Sequence, residues 1–186
     1  MMPVNILVEG ITDEPVAKML LKHVGLEVGI SYGRKGKAYV LGHVPVYNKA
    51  AHFAPWFVLV DLDMDTQCPA EAIVLWLPEP ANGMRFRIAV RAVEAWLLAD
   101  RESMASFLSV SLSKIPHQID LDPNPKQTLI NIARTSSNRS VRDDIVPREG
   151  SGAKFGPLYV SRLANFAEKH WKPDEGKSTL KVYIAA

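Results

Sequence analysis

The chain has a single cysteine, Cys68. It therefore has no internal disulfide, and with no second thiol nearby it cannot build a thiolate metal site. Histidine offers no substitute, because His43, His52, His117 and His170 show no paired metal-ligand spacing. Long apolar runs are missing too: none approaches the roughly 20 residues of a membrane span. The start Met1-Met2-Pro3-Val4 lacks the basic residues of a secretory signal, so the expectation is a cytoplasmic protein with no membrane attachment. Charge of one sign is equally scarce. A formal net charge of +2 excludes a globally basic nucleic-acid binder, but it is compatible with an acidic pocket beside a basic rim. Internal repeats and low-complexity tracts are absent from the pattern.

What remains is a chain of 186 residues with 47% apolar content, enough for one good core. The pattern predicts an α/β fold, a compact and mainly parallel sheet flanked by helices over residues 1–100. A helical C-terminal elaboration over 101–186 is expected to pack on that core as part of a single domain. Val4–Val8 reads as a short apolar strand. Thr12-Asp13-Glu14-Pro15 then supplies a hydroxyl cap, first-turn acids and an early proline, so a helix is expected to about His23 with Val16, Met19, Leu20 and Val24 as its apolar stripe. Gly25 and Gly29 close it. The basic, glycine-rich stretch Tyr32-Gly33-Arg34-Lys35-Gly36-Lys37 predicts a turn, followed by a strand near Ala38–Leu41 and a short helix around Tyr47–His52. Trp56–Val60 is a continuous apolar strand of the kind covered on both faces. Pro69–Leu77 reads as a helix with proline in its first turn, and Arg85–Val90 as a further strand. From Val93 onward the periodicity is helical, with segments near Lys126–Arg134 and Pro157–Trp171. Pro116, Pro123 and Pro125 mark a loop rather than a domain boundary.

Carboxylates cluster where strands end. Glu9 and Asp13 follow the first strand, and Asp61, Asp63 and Asp65 follow the Trp56–Val60 strand. In an open parallel sheet the carboxyl ends of the strands line one crevice, so residues distant in sequence converge there. Two carboxylates about 5 Å apart repel by roughly 3 kcal/mol at an effective dielectric of about 20. Several together need protons or a cation, and oxygen-only ligands favour a hard divalent ion. Glu94, just past the Arg85–Val90 strand, is a further candidate for the metal shell, with a buried pair to Arg91 or Arg87 as its rival reading. For Glu9 and Asp13 the rival reading is helix capping. Asp100 reads as part of a solvated turn. A calcium loop is excluded, since Thr66 and Ala72 stand where glycine and glutamate would be required. An aspartyl phosphatase would need its Asp-x-Asp pair after the opening strand, where this chain has Glu9-Gly10.

The most cationic stretch is Arg134–Arg142, with Arg148 and Lys154 after it. Arg139, Arg142 and Lys154 are the candidates for contact with nucleic-acid phosphates, and Gly150, Gly152 and Gly156 would allow close approach of the main chain. Lys154 is also a candidate for stabilising transition-state charge. Asp143, Asp144 and Glu149 dilute this segment, which suits an ordinary solvated face equally well.

Glu9-Gly10-Ile11-Thr12-Asp13-Glu14 after the first strand, with Asp61-Leu62-Asp63 after a later one, resembles the Toprim domain of topoisomerases, primases and small nucleases. Ala92–Asp100 and Ser151–Pro157 extend the likeness, over nearly the whole chain, to a prokaryotic family of small stand-alone Toprim-like proteins. In its acidic site that family is similar to overcoming-lysogenization-defect nucleases. The resemblance implies that Glu9 serves as metal ligand or general acid/base and that Asp61 and Asp63 hold magnesium or manganese, with Asp13 and Asp65 as weaker extensions. It implies metal-dependent hydrolysis of phosphodiesters in DNA or RNA, nucleic acid as partner, and an ATPase partner in phage defence, and leaves self-association open. The alternative expectation, of a different class, is a catalytically silent subunit that binds nucleic acid or a partner protein.

Overall fold

A computed structural model describes residues 2–65, residues 68–175 and the strand Tyr183–Ile184. The chain divides into two compact units: one runs to Val93 and takes in Tyr183–Ile184, and the other begins at Glu94.

The first unit is α/β. Its strands are β1 (Val4–Val8), β2 (Val28–Gly33), β3 (Trp56–Asp61), β4 (Met84–Ala89) and β5 (Tyr183–Ile184), and its helices α1 (Asp13–His23), α2 (Lys37–Ala50) and α3 (Pro69–Trp76). The sheet order is β2-β1-β3-β4-β5. The first four strands are parallel, and β5 adds to β4 antiparallel through Arg87↔Ile184 and Ile88↔Tyr183. The chain therefore winds outward from β1 to β2, then crosses back to β3 on the other side. That reversal between β1 and β3 is where an open parallel sheet forms its crevice.

Residue pattern explains the placement. All six residues of β3 are buried, as a central strand covered on both faces requires. Leu7, Val58, Val60, Phe86 and Ile88 share one core with Val40 and Val44 of α2 and Ala72 of α3. Strand alternation puts Arg85 and Arg87 on the opposite face of β4. Helix α1 buries Val16, Ala17 and Leu21, whereas Val24, expected in its apolar stripe, is 65% exposed at the C-cap. Met19 and Leu20 are only half-buried.

Three expectations about elements change. Gly29 does not close a helix but lies inside β2, and the expected strand at Ala38–Leu41 is the first part of α2. That helix runs through Pro45, which sequence rules would use as a breaker. Burial of Val40 and Val44, one turn apart, outweighs the lost backbone hydrogen bond. The C-terminal elaboration is not wholly helical, because Tyr183–Ile184 returns as an edge strand; the rest of the expectation beyond Glu175 falls outside the described residues.

The second unit is helical: α4 (Val93–Ala99) leads into it, followed by α5 (Arg101–Leu108), α6 (Pro125–Arg134), α7 (Arg139–Ile145) and α8 (Tyr159–Lys169). Asn124 caps α6 by accepting from the Gln127 backbone N–H at 3.1 Å, with Pro125 in the first turn. Asp100, expected in a solvated turn, is instead buried. Its carboxylate accepts from the backbone N–H groups of Ser103 at 3.3 Å and Lys172 at 2.8 Å, so it caps α5 and anchors the end of α8. Among the described residues, no helix is long and apolar enough to cross a membrane.

The core of the first unit should be sensitive to cavities. Leu7 is fully buried, and Leu7→Ala should cost about 2–5 kcal/mol, read as a lower urea midpoint at unchanged slope.

Candidate functional site

Glu9 directly follows β1, and Asp61 is the last residue of β3. Val8 pairs with Leu59 across these adjacent strands, so both acids emerge at the carboxyl edge, on the two sides of the chain reversal. Backbone constraints then shape the turns around them.

After β2 the chain folds over the end of β1. The backbone N–H of Arg34 donates to the Val8 carbonyl at 2.8 Å, and that of Gly36 to the Glu9 carbonyl at 2.8 Å. Gly33 makes this possible: its φ is +92°, and a Cβ there would stand 2.1 Å from the Val8 carbonyl oxygen. Arg34 follows at φ 64°, and its guanidinium pairs with Glu14 at 3.0 Å. Lys18 pairs with the same carboxylate at 2.6 Å. Burial acts to raise the Glu14 pKa, but the Lys18 and Arg34 interactions outweigh it and hold the group below its ordinary value.

After β3 a second clamp forms. The Asp63 N–H donates to the Arg91 carbonyl, and the Arg91 guanidinium donates to the Asp63 carbonyl, both at 2.8 Å. Asp63 and Arg91 both adopt left-handed backbone, at φ 50° and 64°. Such conformations cost energy outside glycine, and the reciprocal hydrogen bonds hold this one. The clamp keeps Asp63 and Asp65 in the turn beyond the strand.

These two folded-over turns bring Lys37 to the acids. Its ammonium lies 2.6 Å from Asp63 Oδ2 and 2.8 Å from Asp65 Oδ2, with the Trp76 ring centroid 5.8 Å away. The lysine side chain is 17% exposed, against 46% and 47% for the two aspartates. Burial works to lower the Lys37 pKa, but hydrogen bonds to Asp63 and Asp65, with the negative charge of Asp63 and Glu9, leave it raised. Glu9, Asp63 and Asp65 thus act on one ammonium.

The other expected site residues have specific surroundings. Asp61 is 1% exposed and its Oδ1 accepts from the Val93 backbone N–H at 2.9 Å. Asp13, also buried, accepts from the Gly10 N–H at 2.7 Å, a donor in the turn before α1 rather than in the helix itself. Glu94 is buried in the second unit, where its carboxylate accepts from the Tyr159 hydroxyl at 3.0 Å. Lys154 is exposed. Arg139 is exposed as well, with Asp143 at 3.3 Å, a surface pair of little energetic weight. Arg142 donates to the Ser136 carbonyl, and so braces the loop before its own helix. Gly156 does allow close approach, but to α7: its N–H donates to the Ile145 carbonyl at 2.9 Å, and a Cβ would meet the Asp144 carbonyl at 2.4 Å. Asp144 also pairs with Arg162 at 2.6 Å.

Lys37 was not singled out in the sequence. The available signal was the pair Gly33 and Gly36 just before it, which marks a tight turn.

The implied magnesium or manganese suits these residues in donor chemistry, since Glu9, Asp61, Asp63 and Asp65 offer hard oxygens only. The ammonium of Lys37 stands in for part of that positive charge. Among the described residues, no three acid, histidine or cysteine side chains gather as a metal-holding group. Comparison with protein-family models, curated proteins and solved structures returns no match.

Two outcomes test this construction. Asp61→Ala should cost about 1–3 kcal/mol by stranding the buried Val93 N–H, while Asp61→Asn, which keeps an acceptor, should lose less; denaturant titrations of the two variants separate them. Because the Glu14 pKa is lowered on folding, its contribution is present above the unfolded value near 4.5 and lost as pH falls through the folded value. Glu14→Gln should therefore show a smaller loss of melting temperature than wild type as the pH falls below about 4.5.

Proposed function

We propose that the chain hydrolyses phosphodiester bonds in DNA or RNA with magnesium or manganese as cofactor. The observation that supports the reading best is the set of acids at the sheet reversal. Glu9 and Asp61 follow two adjacent parallel strands, and Asp63 and Asp65 in the next turn already face a cation.

Glu9, Asp61, Asp63 and Asp65 would hold the ion. Its contribution would be to neutralise charge on the phosphodiester and make water a better nucleophile. The protein residues do the rest. The Val93 N–H orients the Asp61 carboxylate before any ligand arrives, the kind of second-layer support that fixes a ligating group. The left-handed backbone at Asp63, clamped by Arg91, fixes the turn that carries two of the acids. Glu9, half-buried as Asp63 is, is the candidate to take or return a proton on the attacking water. In the second unit, exposed Lys154 and Arg139 are the candidates for phosphate contact, whereas Arg142 and Gly156 shape the loops that carry them.

A second reading, a catalytically silent nucleic-acid- or partner-binding subunit, is favoured by the same Lys37 contacts, since a lysine already balances two of the acids. Glu9→Gln separates the two. It preserves shape and an oxygen donor but removes charge and basicity. Metal-dependent cleavage of a mixed DNA and RNA panel should fall about 10²–10⁴-fold, the range for a positioned acid or base, while equilibrium binding of the substrate holds. Equal rates for parent and variant would remove Glu9 from the chemistry. No cleavage by either, with and without an ATPase partner, would favour the silent subunit.

A further inference from the structure

Lys37 occupies a position that a divalent ion would also need. Its ammonium contacts Oδ2 of both Asp63 and Asp65 at hydrogen-bond distance, and the charge of Glu9 acts on it too. The lysine is not a stray surface group. It opens α2 directly after Gly36, whose N–H is bound to the Glu9 carbonyl, so the helix start is tied to the end of β1. Its aliphatic stem is largely covered, and the Trp76 ring lies on the ammonium. A divalent ion bonded to the same carboxylates would face that ammonium at close range and repel it strongly.

We propose that Lys37 is an internal counter-ion that competes with the metal: its pairing with Asp63 and Asp65 and occupation of the acidic crevice by a divalent cation exclude one another. This rests on the metal-dependent reading above and adds its control. The metal-free site is kept intact by the lysine, and metal affinity is set lower than the acids alone would give. Binding must release Lys37 from both aspartates. The backbone before Lys37 stays tied to the end of β1 by the Gly36 to Glu9 bond.

The test titrates Mn²⁺ by calorimetry into the full chain as wild type, Lys37→Met, Lys37→Gln and Lys37→Arg, with folding checked by circular dichroism. The neutral variants should bind Mn²⁺ about tenfold more tightly, equivalent to one ion pair of about 1.4 kcal/mol. They should also melt lower than wild type without metal, because the acids then repel unopposed. Lys37→Arg, which keeps the positive charge, should return to weak binding. In wild type, amine acylation read by mass spectrometry should label Lys37 faster once Mn²⁺ is bound. Equal affinities across folded variants, or Mn²⁺ binding with no change in Lys37 labelling, would overturn the competition but leave the metal site standing. No Mn²⁺ binding by wild type or by any folded variant would overturn both. If the neutral variants do not fold, the labelling of wild type alone decides.

Discussion

Like charges brought to one edge of a sheet are the constraint around which the first unit is arranged. The parallel order, with reversal between β1 and β3, delivers Glu9 and Asp61 to adjacent strand ends, and the following turn adds Asp63 and Asp65. At an effective dielectric of about 20, each pair of carboxylates about 5 Å apart costs roughly 3 kcal/mol. That is a large fraction of the 5–15 kcal/mol by which folded domains of about this size exceed their unfolded chains. A cation beside such acids offsets part of that cost. The structure supplies one from the β2–α2 connection, and the unusual backbone of the region serves that delivery. Gly33 lets the chain pass against the Val8 carbonyl, Arg34 turns left-handed, and Gly36 bonds to Glu9 immediately before Lys37.

Much of the frame was legible because its signals are local. The unbroken apolar run at β3, the proline-started α3, and the helical periodicity of α6 and α8 all lie within single segments. So did the acids, since a charge directly after a buried strand stands out. The misread parts depended on contacts between segments. Ala38–Leu41 looked like a strand, but burial of Val40 and Val44 one turn apart belongs to α2. Asp100 looked solvated because its partner, the Lys172 N–H, is 72 residues away. The edge strand Tyr183–Ile184 is too short for any periodicity to show. Lys37 was hidden for a related reason: a lysine in a glycine-rich basic stretch looks like solvent-facing charge, and only the path of the chain over β1 gives it two aspartates.

The acids differ in the groups seen to hold them. Asp13, Asp61 and Asp100 accept backbone N–H groups, Glu94 accepts a tyrosine hydroxyl, and Glu14, Asp63 and Asp65 face full cations. A neutral donor orients a carboxylate and lessens the cost of burying it, but leaves its formal charge in place. Asp61 is thus held in direction by a backbone donor, whereas Asp63 and Asp65 face a cationic group on a flexible four-carbon stem. On the proposed metal-dependent reading, fixed orientation suits a ligand that must be ready before a cation arrives, and a displaceable partner suits one that must change hands. One short strand end and the turn after it thus combine both kinds of carboxylate, one held by a backbone donor and two paired with a lysine.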